Sequence, residues 1–225
     1  LLLGLAIDAD YCFDMHCDNE ALVHLYTGVS MIPDLIDLSA EMGSAATMVD
    51  DDSGGGPFDE AVGGLWFRLK QQVGDAIPIP VGCHSCTIEY RGKADLSDAL
   101  AESDAAALIR FMQRRGVIAG EPGDLPQKLC EPTPLSAVDM VRAPCAGLVS
   151  YHVDLGQKVS AGEVIAEIVD PAATDPSAAR TPVVTEQDGF VLTRLIMKLV
   201  RSGDSLAKVV GTQPLASRTG TLLPP

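Results

Sequence analysis

A chain of 225 residues is long enough for one large domain or two modest ones, each with its own core. Its formal net charge of −15, with no clustered Lys or Arg, argues against a nucleic-acid partner, because phosphate contacts need concentrated cations. Six dilute cysteines do not make a disulfide scaffold and no apolar run is long enough to span a membrane, so an acidic, cytoplasmic protein with reduced thiols is expected.

The opening LLLGLAID is apolar but short, without the basic flank or cleavage-site pattern of a leader. It reads as the end of a helix already under way and does not begin with Met, which predicts that the first part of a longer protein is absent. Tyr11 to His16 alternates as a strand, with Cys12, Asp14 and His16 on one face and Tyr11, Phe13 and Met15 on the other. His24 follows in a turn or short helix. Ile32 to Met48 is helical in part, and the acidic, glycine-rich run Asp50 to Pro57 is a loop.

Ala61, Val62, Leu65, Trp66, Leu69 and Val73 fall at helical spacing, which predicts a helix over Phe58 to Val73. The prolines of Ile77 to Val81 impose extended backbone, and Cys86 to Tyr90 is a strand. One or two helices follow, capped by Ser97 or Asp98 and stopped at Gly116. This alternation of strand and helix argues for an α/β layer.

Near Glu121 the texture changes to short β runs separated by Gly, Pro and Asp. Two of these segments repeat: Gly147 corresponds to Gly189, Gly162 to Gly203, and Ile165-Ala166 to Leu206-Ala207. Two similar β units that each bury half a core predict a small pseudo-symmetric barrel or sandwich. The module resembles the biotinyl/lipoyl-type fold, whose carrier members bear a modified lysine between the halves. Here that connection, DPAATDPSAARTP, has no lysine, so the module reads as structural.

Chemistry concentrates in YCFDMHCDNEALVHLY, Tyr11 to Tyr26. His16 ends a strand of an α/β sheet, the edge where such sheets place ligands, and Asp14 on the same face can orient its imidazole. Asp18 and Glu20 can line the same pocket or simply be solvated, and His24 is either functional there or a surface or packing residue. Glu89 interrupts the apolar run CTIEYRG, either as an ion-pair partner of Arg91 or as a partly buried general base. Cys83 and Cys86 form a single knuckle where a zinc ribbon needs two, so they read as buried thiols.

Taken in order, FDMHCDNEALVHLYTG, SGGGPFDEAVGGLWFRL, CTIEYRGKADLSDALAESDAAALIRFMQRRGVIAG and APCAGLVSYHVDLGQKVSAGEVIAEIVDP resemble the succinylglutamate desuccinylase/aspartoacylase family, over about Ala6 to Gly211. These are zinc-dependent relatives of the metallocarboxypeptidases. The resemblance implies an α/β fold: a partial zinc-carboxypeptidase-like mixed sheet with helices in residues 1–122, followed by a small all-β barrel-sandwich domain in residues 123–225. The core of that second domain would span about 137–211, with a short tail.

The resemblance also implies a deacylase that cleaves the amide bond of N-acyl amino acids or related small molecules with one zinc ion. Asp14-Met15-His16 matches the family's later ligand segment, which makes His16 the third zinc ligand, and Ile88-Glu89 matches the strand that carries the general base. Asp14, Asp18, His24 and Arg91 are expected around that pocket. The family's early His-x-x-Glu pair is absent, since His16, His24, His84 and His152 are followed three places on by Asn19, Thr27, Thr87 and Leu155. The other two ligands and the arginine that grips a substrate carboxylate are therefore expected upstream of Leu1, and weak or no zinc binding is expected of the chain itself. A non-catalytic scaffold and a peptide-cutting metallocarboxypeptidase are the rival readings. The sequence leaves a homo-oligomer open.

Overall fold

The computed structural model describes residues 1–223. In chain order the first part contains α1 (Leu2–Ala6), β1 (Tyr11–Asp18), β2 (Glu20–Ala21), β3 (His24–Thr27), α2 (Ile32–Glu41), β4 (Ala46–Val49), α3 (Phe58–Val73), β5 (His84–Gly92) and α4 (Asp98–Arg114). The expected helix over Phe58–Val73 forms at those bounds. Helix α4 starts where Ser97 accepts a hydrogen bond from the Leu100 amide, and Gly116 beyond its end adopts φ +71, a left-handed conformation that costs glycine little. His24 lies on strand β3, not in a turn or helix: β3 pairs with β5 on one side and β4 on the other, so its backbone is committed to two ladders and both of its faces are largely buried.

A mixed sheet runs in the order β1-β5-β3-β4-β6, where β6 is Pro132–Pro134. Strands β1 and β5 are parallel, β5 and β3 antiparallel, and β3, β4 and β6 parallel. β6 carries two prolines, which an edge strand tolerates because one side of it needs no ladder bonds. It joins this sheet from beyond residue 122, so strand pairing does not divide there. On the back face Leu25, Leu35, Leu38, Cys86, Ile88 and Phe111 form a buried core under α2 and α4. Glu41, with a side chain wholly buried, ties the two helices by accepting from Arg110 at 2.7 Å and Arg114 at 2.8 Å.

The remainder is β7 (Val138–Arg142), β8 (Gly147–Tyr151), β9 (Lys158–Val159), β10 (Val164–Val169), β11 (Arg180–Val184), β12 (Gly189–Arg194), β13 (Leu199–Val200) and β14 (Ser205–Val210). One antiparallel sheet runs β11-β10-β8-β13. The other runs β2-β12-β14-β7, with β9 also on β12. Both contribute to one apolar core that includes Val149, Ile165, Ile168, Val191, Leu206 and Val209.

The sequence repeat is matched by repeated backbone contacts. Gly147 opens β8 and Gly189 opens β12, and a Cβ on either would strike the backbone of its partner strand, at the carbonyls of Val169 and Val210 respectively. Gly162 and Gly203 adopt φ +84 and φ +90, and their amides donate to Thr185 and Ala143, each at 2.8 Å. The acidic residue after each glycine accepts from an amide three places back: Glu163 from Ser160 at 2.9 Å, Asp204 from Arg201 at 2.7 Å.

The two parts are joined by more than a linker. β2, from between β1 and β3, pairs with β12, and Arg194 donates to Glu20 at 3.0 Å. A further core of Ala46, Met48, Leu135, Val138, Leu192 and Val210 seals the mixed sheet to the β part. Among the described residues no helix is long and apolar enough to cross a membrane.

Candidate active site

Strand β5 lies between β1 and β3, and the registers set two rows of side chains on the sheet's front face. His16, Glu89 and His24 form one row, and Asp14, Thr87 and Tyr26 the next. Residues brought together from three strands thus occupy a patch two residues deep. Over part of it lies a cavity of about 500 Å³, walled by the sheet, by Gly55–Glu60 entering α3, and by Leu135 and Lys208 from the β part.

His16 is half exposed, and its Nε2 lies 3.1 Å from Oδ1 of Asp14. A carboxylate at that distance can fix the orientation of a ligating histidine, and Nδ1 makes no hydrogen bond among the described residues. Glu89 presents Oε2 buried and without a hydrogen-bond partner. Burial pushes its carboxyl above the ordinary range, with Asp18 and Asp14 adding to the effect and Lys208 and His16 opposing it.

His24 is fully buried. Its Nδ1 lies 2.8 Å from the Leu22 carbonyl, which makes that nitrogen the donor, while Nε2 has no partner. Burial drives its pKa down to about 4, helped by the Lys208 ammonium, so the ring is neutral at pH 7. Lys208 donates to Oδ2 of Asp18 at 2.7 Å and to the Tyr26 hydroxyl at 2.8 Å. Burial works against its charge, but Tyr26 and Asp18 outweigh burial and hold its pKa above the usual value. Burial likewise works against the Asp18 carboxylate, and Lys208 outweighs it, leaving that group below its usual pKa. Asp59, in the first turn of α3, is pushed up to about 6 by burial, and its Oδ1 is unpartnered.

Asp14, His16 and Glu89 therefore share one cavity wall, whereas Asp18 and His24 sit beside it in the sheet and do not line the opening. Arg91 is elsewhere. Its backbone leaves the pleat at φ 111, and its guanidinium grips Asp104 of α4 with two bonds of 2.7 and 2.9 Å, so it neither lines the cavity nor pairs with Glu89. Sequence reasoning did not single out Tyr26, Asp59 or Lys208. The signal for Lys208 was its place as the one polar residue within Leu206 to Val210.

The donors fit part of the shell of a zinc-type ion. His16 lines the cavity with a carboxylate behind it, beside an unpartnered carboxylate one strand over. A catalytic zinc takes three protein ligands, and of these His16 could offer one. Asp18, His24 and Glu89 also offer atoms within 4.8 Å of one another, but the Lys208 ammonium already neutralises Asp18 there.

No protein-family model matches the sequence, and a search of curated proteins returns no match. Solved structures do match. A protein of Shewanella frigidimarina NCIMB 400 assigned to succinylglutamate desuccinylase/aspartoacylase superimposes with a TM-score of 0.77 at 24% identity, over 100% of this chain and 57% of that one. A succinylglutamate desuccinylase/aspartoacylase family protein of Shewanella amazonensis SB2B gives 0.79 at 22% identity, over 93% and 56%. The product-bound ectoine utilization protein EutE (DoeB) of Ruegeria pomeroyi gives 0.68 at 17% identity, over 91% and 59%. This chain therefore has the fold of the succinylglutamate desuccinylase/aspartoacylase proteins, and it spans less than two thirds of the length of these three structures.

Proposed function

We propose that the chain carries part of the active site of a zinc-dependent deacylase that hydrolyses the amide bond of N-acyl amino acids or related small molecules. The observation that supports this most is Glu89. Its buried, unpartnered carboxyl oxygen stands in register with His16 on a cavity of about 500 Å³, a size that suits a small molecule. The shared fold agrees with it. The β part completes the cavity wall through Leu135 and Lys208, and we read it as a barrel-sandwich in which the repeat supplies the two halves. The six free thiols and the acidic composition suit a cytoplasmic protein.

His16 would hold the metal through its free ring nitrogen, with Asp14 fixing the imidazole. A zinc ion bound there supplies Lewis-acid polarisation of a carbonyl and a more acidic water. Glu89 takes the proton from the attacking water and delivers it to the departing nitrogen. Burial raises its pKa, which makes it a better proton acceptor than an ordinary carboxylate, while the protonated form can still donate. The test is hydrolysis of N-acetyl and N-succinyl amino acids, with metal content measured alongside. With the site completed by its two further ligands, Glu89→Gln is expected to keep the zinc content of the unsubstituted protein and lose about 10²–10⁴-fold in turnover, and unchanged turnover would discard the role.

A further inference from the structure

The wall of this cavity is strongly anionic. Asp14, Asp50, Asp59, Glu60 and Glu89 all line it, and Lys208 is the one Lys or Arg among the described lining residues. A carboxylate entering this space meets repulsion everywhere except at one corner. An ammonium has three N–H donors. Lys208 spends one on Asp18 Oδ2 at 2.7 Å and one on the Tyr26 oxygen at 2.8 Å, which leaves a third. Tyr26 in turn uses its oxygen as an acceptor and has no acceptor among the described residues for its own O–H. Both side chains line the cavity, and the Lys208 nitrogen lies 5.4 Å from the centroid of the Tyr26 ring.

We propose that Tyr26 and Lys208 form a two-donor cradle for a carboxylate of the substrate. The inference rests on the deacylase reading only for the nature of the ligand, an N-acyl amino acid with a free carboxylate. Asp18 is what makes the cradle specific. It anchors Lys208 from behind, so the ammonium is held in place before the ligand arrives and little side-chain freedom is lost on binding. Because Lys208 stands on β14 and Tyr26 on β3, the cradle is assembled only when the β part is seated on the mixed sheet. A neutral amide in place of the carboxylate would forfeit the charge-assisted bonds, which are roughly twice as strong as neutral ones.

The test reads binding and not turnover, so it stands apart from the hydrolysis assay. N-acetylglycine and N-acetylglycinamide are titrated against the 225-residue protein by calorimetry or NMR. The acid is expected to bind at least about tenfold more tightly than the amide, a gap that one charge-assisted bond supplies. Tyr26→Phe, which removes only an oxygen, and Lys208→Met should each close most of that gap, while Lys208→Arg should keep part of it. Lys208→Met strands Asp18 and can unfold, so the wild-type ligand pair and Tyr26→Phe decide the matter. Equal affinity for acid and amide, no detectable binding of the acid at millimolar concentration, or a gap unchanged in Tyr26→Phe would each overturn the cradle. Hydrolysis of N-acyl amino acids with no acid–amide gap would sink the cradle alone, and a persisting gap with no hydrolysis of any N-acyl amino acid once the metal site is completed would sink the deacylase alone.

Discussion

Replacing His24 by Asn isolates a pH-dependent component of stability. Folded His24 stays neutral down to about pH 4, because its ring is buried and faces the Lys208 ammonium. In the unfolded chain the same ring binds its proton from about pH 6.5 downward. Acid therefore favours the unfolded state, and stability falls as pH drops through that window. With those two values, linkage gives a loss of about 2 kcal/mol between pH 7 and pH 5, approaching about 3.4 kcal/mol once the folded ring is also protonated. Asn keeps a side-chain N–H near the position of Nδ1, so the bond to the Leu22 carbonyl has a successor and the titration does not. The assay is urea unfolding of both proteins at pH 7 and pH 5. The wild type should lose about 2 kcal/mol more than the variant between the two conditions, whatever fixed offset the smaller side chain introduces. The other histidines are common to both proteins and cancel. Equal pH dependence in wild type and variant would refute the account of a neutral, buried His24.

Three further substitutions probe the scaffold by urea unfolding. Glu41→Ala leaves two arginines without their buried acceptor, but both guanidinia reach water, so the cost is placed near the low end for such pairs, about 3 kcal/mol; a loss below about 0.5 kcal/mol would show that the pair does not hold α2 to α4. Gly189→Ala drives a methyl into the Val210 backbone, which cannot rotate aside, and is expected to cost about 1–3 kcal/mol. The equivalent Gly147→Ala, against Val169, should fall in the same range, and a neutral result at either position would contradict the close approach of the paired strands.

The sequence was most legible where one periodicity decided the outcome. Helix α3 carries apolar residues at helical spacing throughout and forms at the expected bounds, and the duplicated turns at Gly162 and Gly203 announce themselves because each needs a left-handed glycine followed by an acid. Strand β3 was hidden because its four residues place two polar or amphipathic rings on one face, a pattern too short to separate from a turn. β6 was hidden by its prolines, which disqualify a central strand but not an edge. Within the candidate site, alternation alone puts Asp14 and His16 on one face of β1. It cannot place Glu89 between His16 and His24, because that adjacency depends on a strand order set by tertiary packing. Arg91 shows the reverse error: alternation puts it on the face of Glu89, and the turned backbone at φ 111 takes it to Asp104.

Between His16 and His24 the chain leaves one sheet, lends Glu20 and Ala21 to the edge of another, and returns. A chimaera built by exchanging everything after residue 122 would therefore cut through hydrogen bonds that frame the cavity, even though its junction fell in a loop. A donor module would have to bring its own counterparts of Thr193, Arg194 and Lys208, or the excursion would have nowhere to dock. Inheritance of the two halves is thereby linked: a change in the distal repeat is felt at the histidines far ahead of it in the chain.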